Sequence, residues 1–315
     1  MNGSPSGAAG ASGASDAFAD ETAVHADGEG RWSTRLHAAW HIGDTANGGY
    51  ALTPVLRALG EIAGHPDPLS VTTHFLRPAT GDLDGVVTAE QIRVGRTTGV
   101  VRGALEQEDR QRLHVTAVFG APVDEADDGN DDGDRGDRGD HDGDGDDDDD
   151  GDDRGDHDGD AAPLAFAPSA PGSDELPSPE ACVDRRELAQ GVELPILSRV
   201  DVRIHPDHAV AGGSGRAVIA GWIRLADGTA PSVLALPLFA DAFPPSLYPL
   251  LGEVGWVPTI ELTVHVRHRP APGWVRARFE CDDLHGGRMI ESGTLWDSSG
   301  RVVARSRQLG LHLPR

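Results

Sequence analysis

The sequence predicts an α+β protein built from two copies of one unit, each an antiparallel sheet wrapped round a single helix. Three observations predict it. Before residue 120 the chain reads as a strand, one long helix and four further strands, an order that lays an antiparallel sheet over one helix. The helix itself is marked by strong apolar periodicity after Asn47-Gly48-Gly49. The second half then echoes the first: Arg77-Pro78-Ala79 closes a strand, and Arg269-Pro270-Ala271 closes another 192 positions later. A polar turn also precedes the last strand of each half, at Glu108-Asp109-Arg110 and at Ser298-Ser299-Gly300. Repetition in register over such an offset reads as a duplicated unit.

Residues 1–23 are rich in Gly, Ala and Ser and are expected to be disordered; they show neither the basic start nor the apolar core of a signal peptide. Residues 33–40 alternate weakly and read as a first strand. Asn47 is a good helix N-cap, and from it a helix is expected to run to about residue 64. Its apolar face is Tyr50, Leu52, Val55, Leu56, Leu59, Ile62 and Ala63, with Pro54 expected in the first turn. Gly48 and Gly49 allow close approach, and a helix start with free N–H groups can hold an anion or a polarised carbonyl. Residues 65–68 read as a turn, and 70–76, 86–94, 99–107 and 112–119 as strands.

The charge is unevenly spread. Of a formal net charge of −25, a share of −18 falls between residues 124 and 160, where 21 acidic residues face three arginines. The remaining −7 gives no nucleic-acid-binding face. Residues 124–177 form an Asp/Gly-rich, then Ala/Pro/Ser-rich segment that cannot bury enough apolar surface to fold alone. It reads as a solvated tether between an N-terminal unit (24–123) and a C-terminal unit (178–315). Its Asp-Gly runs lack the helices and closing Glu of a calcium loop. The basic residues are all Arg, which reads as codon bias of a GC-rich genome. No apolar run approaches membrane length. The two cysteines, Cys182 and Cys281, lie too far apart for a disulfide framework or zinc spacing, so a reducing, cytoplasmic setting is expected.

Beyond the tether, strands are expected at 200–204, 216–225, 259–267, 274–280, 289–296 and 302–311. A short or broken helix is expected within 232–250, interrupted by Pro237 and Pro244-Pro245. The residues Gly48-Gly49, Phe75-Leu76-Arg77-Pro78, Gly95-Arg96 and Gln107 in the first half resemble the double-hotdog acyl-CoA thioesterases of type II. So do Ala240-Asp241, Pro258-Thr259-Ile260-Glu261, Arg269-Pro270 and Val303-Ala304-Arg305-Ser306-Arg307-Gln308 in the second. The resemblance covers roughly 30–121 and 195–313. It implies a double hotdog with two central helices, each wrapped by a curved antiparallel sheet, and hydrolysis of an acyl-CoA substrate without cofactor or metal. It also implies that the whole chain associates into a homo-oligomer, because hotdog sheets join edge to edge. The long acidic insertion departs from the family pattern.

By that resemblance Asp241 is the general base, with Thr259 and Gln308 positioning the attacking water; Gly48 and Gly49 are kept as substrate contacts. Each residue type suits its role: a carboxylate deprotonates water, and neutral hydrogen-bonding side chains hold it in place. The apolar neighbours Leu236, Leu238, Phe239 and Phe243 would raise the base's pKa by burial. A non-catalytic acyl-thioester binding protein on the same scaffold is the alternative. An enoyl-thioester lyase would pair a His with the Asp, and no His adjoins Asp241. His41, His74, His265 and His268 show no metal-ligand spacing, and there is no Gly-x-Ser-x-Gly elbow or phosphate loop. Trp222, Trp256, Trp274 and Trp296 read as core and turn anchors.

Overall fold

Why the helix starts where it does is visible at one side chain. In the computed structural model, which describes residues 16–121 and 166–313, Asn47 Oδ1 accepts the Tyr50 N–H at 2.9 Å and so caps the first turn. Ahead of that cap lie α1 (Ala17–Asp20), β1 (Val24–Ala26), β2 (Arg31–Arg35) and the small hairpin β3 (His41–Ile42) and β4 (Thr45–Ala46). The capped helix is α2 (Gly48–Ile62), followed by β5 (Asp67–Phe75), β6 (Asp84–Val94), β7 (Thr98–Gln107) and β8 (Arg110–Gly120). The second half holds β9 (Val183–Asp184), β10 (Val200–Ile204), β11 (Val218–Leu225), α3 (Ala235–Asp241) and α4 (Tyr248–Leu251). It ends with β12 (Thr259–Val266), β13 (Val275–His285), β14 (Arg288–Trp296) and β15 (Val302–Leu311).

Thirteen of these strands form one continuous antiparallel sheet in the order β1-β2-β6-β7-β8-β5-β12-β15-β14-β13-β11-β10-β9. The two sheets expected from the repeat are therefore fused at β5 and β12, where Val71 pairs with Val264 and His74 with Glu261. Thr72 and Thr263 share a hydroxyl–hydroxyl hydrogen bond across that seam, 3.0 Å long. Arg269 pairs with Asp67 at 2.6 Å across the same junction. The helices α2 and α3 are also unequal. α2 has 15 residues and α3 only seven, because Pro237 and the Pro244-Pro245 pair leave little room for backbone hydrogen bonding.

α2 packs on β5 to β8 and on α3. Leu52, Val55, Leu56 and Leu59 are fully buried in that sandwich. Truncating Leu56 to Ala is expected to lower unfolding stability by about 2–5 kcal/mol, read from the urea midpoint at unchanged m-value. Pro54 sits in the second turn and not the first, since α2 starts at Gly48.

Four further expectations are corrected. Within the N-terminal segment expected to be disordered, residues 16–23 are structured. Phe18 is buried against Trp40 with ring centroids 5.7 Å apart, and Glu21 accepts from Trp40 Nε1 and from Arg199. Residues 166–177 of the expected tether lie along the sheet, since Trp296 Nε1 donates to Pro168 O and Trp222 Nε1 to Pro177 O. The two indoles give otherwise irregular backbone a fixed donor. The strand expected over 33–40 ends at Arg35, and β5 begins inside the expected turn, at Asp67. The rest of the expected N-terminal segment (1–15) and the acidic stretch of the tether lie outside the described residues. Among the described residues no helix is long and apolar enough to cross a membrane.

Candidate functional site

α2 and α3 meet at their ends, and the meeting point is a carboxylate. Asp241 is the last residue of α3. Its Oδ2 accepts from Asn47 Nδ2 at 2.9 Å and from the Gly49 N–H at 3.1 Å. Asn47 Nδ2 also donates to Asp241 O at 2.8 Å. The helix start that the sequence offers to an anion thus holds the chain's own aspartate, where the positive end of the α2 dipole favours its charge.

The approach requires both glycines. A Cβ on Gly48 would stand 2.8 Å from the Phe75 ring and 3.0 Å from Asp241 Oδ2. One on Gly49 would overlap the main chain of Pro237 and Leu238 in α3.

The other carboxylate oxygen faces the sheet. Thr259 Oγ1, on the first residue of β12, donates to Asp241 Oδ1 at 3.3 Å and accepts from Gln308 Nε2 of β15. A register shift between Thr259 and Glu261 brings these two side chains together across the β12–β15 pair. Asp241, Thr259 and Gln308, 67 positions apart in sequence from first to last, are therefore one hydrogen-bonded line.

Burial pushes the Asp241 carboxyl up to about 6; bonds from Gly49, Thr259 and Gly48 and the charge of Arg185 pull it partway back. A carboxylate so placed is ionised at neutral pH yet still basic enough to take a proton from water.

All of this opens into a cavity of about 280 Å³ walled by both halves of the chain. Ile42, Phe75, Phe243 and Met289 give it apolar walls, while Leu76 and the half-exposed Trp256 stand at its mouth. Trp256 is thus a cavity residue and not a core anchor, whereas Trp222 and Trp296 are buried as expected.

Three cavity residues escaped the sequence reading. Arg185 is fully buried, donating from Nη1 to Ala242 O and from Nη2 to Gln190 Oε1 at 3.0 Å. Burial brings its guanidinium down to about 9, opposed by the charge of Asp241, so it stays protonated at neutral pH. Glu291, buried on β14, accepts the Ser246 N–H at 2.8 Å. Burial raises its carboxyl, the Ser246 bonds oppose this, and the negative charge of Asp241 adds to the rise. Glu291 had a signal: it shares the inward alternation of Met289, Gly293 and Leu295. Arg185 and Gln190 had none, since they sit in an irregular charged stretch beside Asp184, Arg186 and Glu187. No group of three or more His, Cys, Asp or Glu side chains among the described residues is arranged to hold a metal ion.

The comparisons with known proteins agree with this geometry. The chain matches the acyl-CoA thioesterase N-terminal domain family over residues 36–120 and the acyl-CoA thioesterase C-terminal domain family over 175–312. Over 94 residues it is 34% identical to an uncharacterized protein of Mycobacterium tuberculosis (strain ATCC 25618 / H37Rv), covering 30% of this chain and 32% of that one. The chain thus spans about a third of the length of the curated relatives it matches. Among solved structures, a candidate thioesterase II from Thermobifida fusca YX superposes with a TM-score of 0.74 at 27% identity, covering 94% of this chain and 97% of that one. A protein of unknown function with a hotdog fold from Alicyclobacillus acidocaldarius gives 0.70 at 19%, covering 96% and 99%. An acyl-CoA thioesterase II from Mycobacterium marinum gives 0.61 at 16%, covering 95% and 98%; these last two share the fold alone. With both domain families matched in order around a shared cavity, the chain belongs to the acyl-CoA thioesterase family of hotdog proteins.

Proposed function

We propose that the protein hydrolyses a fatty acyl-CoA to the free acid and CoA, with Asp241 as general base and Thr259 and Gln308 as water-positioning residues. On this reading the fused sheet is a double hotdog, one unit over 24–123 and the other over 178–315, with α2 and α3 as their central helices. The observation that carries the proposal is the line Gln308–Thr259–Asp241 at the wall of a cavity with apolar lining. Oδ2 of Asp241 is held by Asn47 and Gly49, which leaves Oδ1 as the oxygen that takes a proton. A water beside Oδ1 accepts the second N–H of Gln308 and donates to the carboxylate. It then attacks the thioester carbon as its proton passes to Asp241. The C–S bond breaks, and the thiolate leaves with that proton. Gly48, which lines the cavity, is a substrate contact; Gly49 acts through Asp241, whose carboxylate takes its N–H.

The test is thiol release from acyl-CoA esters of graded chain length across pH. With the base pushed up to about 6, kcat/KM should rise tenfold per pH unit below that value and level off above it. A rate flat between pH 5 and 8 would remove Asp241 from the base role. Binding of acyl-CoA with no release on any ester would make the protein a thioester-binding module instead.

A further inference from the structure

The acidic stretch of the chain has a counterpart on the outer face of the sheet. There β12 and β15 carry a shallow groove of about 540 Å³, lined by His265, Arg267, Arg305 and Arg307 together with Ser292 and Ala121. The whole chain has a formal net charge of −25, yet among the described residues no Asp or Glu lines this groove. Strand register explains the cluster. His265 of β12 stands opposite Arg305 of β15, and Thr263 opposite Arg307. Alternate residues of a strand share a face, so these side chains point away from the core that holds Val264, Val266 and Ala304.

The charge of the groove is only partly answered. Arg307 Nη1 donates to Ser292 Oγ at 2.8 Å and lies 3.7 Å from Asp282 Oδ2. The exposed Arg267 and Arg305 have no side-chain hydrogen bond or ion pair among the described residues. Carboxylates on neighbouring strands are engaged elsewhere. Asp67 of β5 is held by Arg269 at 2.6 Å, and Glu280 of β13 by Arg278 at 2.8 Å. Clustered like charges repel one another, and a set of carboxylates laid between them would relieve this.

Where the chain leaves and rejoins the sheet indicates what supplies those carboxylates. Ala121, the first residue after β8, lines the groove, and residues 122–165 lie outside the described residues. Three positions beyond Ala121 the sequence turns acidic: residues 124–134 hold seven Asp or Glu and no Arg. Three residues span at most about 11 Å, so the acidic run begins beside Arg267 and Arg305. The chain returns on the same face. Thr294 of β14 stands opposite Arg305, and Trp296, two residues on, donates from Nε1 to Pro168 O. A segment anchored at both ends is held at roughly millimolar effective concentration. Exposed ion pairs that are individually weak then suffice when several act together. We propose that residues 124–134 dock in this groove of their own chain, their carboxylates facing Arg267, Arg305 and Arg307. His265 lies six residues, about 20 Å, along β12 from Thr259, so the docking surface is separate from the cavity.

The test is limited trypsin digestion of the full chain, followed by mass spectrometry. The acidic stretch contains Arg135, Arg138 and Arg154, each followed by Gly. Protease needs an extended, undocked stretch, so docking of 124–134 slows cleavage at Arg135 and leaves Arg154 as an internal standard. At about 20 mM salt the ratio of Arg135 to Arg154 cleavage should be at least about tenfold lower than in a free synthetic peptide of residues 122–165. At about 0.5 M salt the two ratios should agree within about twofold, because screening then acts over a few ångströms. Arg267→Gln combined with Arg305→Gln should raise the low-salt ratio to that of the peptide. Arg267→Lys combined with Arg305→Lys should keep it low, because the positive charges remain. A full-chain ratio equal to that of the peptide at low salt would overturn the proposal. So would protection that survives the glutamine pair or high salt, or protection lost in the lysine pair. Protection that strengthens with protein concentration would place the segment on a second copy and overturn the same-chain assignment.

Discussion

Asp241→Asn is expected to lower thiol release by about a thousandfold or more while making the protein more stable at pH 8. The first effect follows from the loss of the only group at Thr259 Oγ1 and Gly49 N that can take a proton from water. The second follows from the ionisation of a buried carboxyl. In the folded protein its pKa is about 6, against an ordinary value of 3.8. A raised folded value means that the favourable, protonated form is fully present below pH 3.8 and is lost as pH rises through 6. Above pH 6 the wild type therefore holds a destabilising buried charge, on the order of 3 kcal/mol by linkage. Asparagine carries no such charge, and its Oδ1 can still accept from Asn47 Nδ2 and the Gly49 N–H. Thermal melts of the two proteins should therefore diverge in favour of the variant at pH 8 and converge near pH 4. A variant that is inactive because it is misfolded would melt lower at both. Active variant protein would overturn the base assignment, and a melting gap independent of pH would overturn the buried-charge account.

What the sequence made legible follows the range of the forces involved. Helix capping by Asn47, the alternation of residues 259–266 and 302–311, and the break between α3 and α4 at Pro244-Pro245 are local, and each is readable from residue order. The fusion of the two sheets was not, because the β5–β12 pairing joins residues about 190 positions apart and depends on pairs such as Thr72 and Thr263. The line Asp241, Thr259 and Gln308 came from family resemblance, since nothing in their spacing brings them together; the register shift after Thr259 does so. At Asn47 the sequence shows only the cap. Its amide has two ends, and while Oδ1 caps α2, Nδ2 holds the aspartate of the other half. The residues missed altogether, Arg185 and Gln190, owe their burial to the path of an irregular segment over the cavity, and irregular backbone has no periodicity to betray which side chains turn inward.

The second large effect is expected at Gly49, and it ties the stability of the fold to the site. An added methyl there would stand 2.6 Å from Leu238 Cα and 2.7 Å from Pro237 C, both main chain, so no side-chain rotation relieves the clash. α2 and α3 would have to separate, and the Gly49 N–H would draw away from Asp241 Oδ2. Gly49→Ala should destabilise by about 3 kcal/mol, at the upper end of overpacking, which in a chain of this size lowers Tm by roughly 5 °C. The same substitution at Gly60, in the same helix, meets only Phe119 Cε1 at 3.6 Å, an ordinary contact. There alanine should be neutral or stabilising by up to about 1 kcal/mol, because it reduces the freedom of the unfolded chain without a clash. The two alanines thus differ in sign within one helix, and only the close approach of α3 separates them. If Gly49→Ala melted like Gly60→Ala, the helix ends would not be in contact. The carboxylate would then lose the helix N-terminus that holds it. If Gly49→Ala melts low, activity measured well below its Tm should also fall. Its residual pH profile should shift toward higher pH, because a carboxyl that loses an N–H partner ionises less readily.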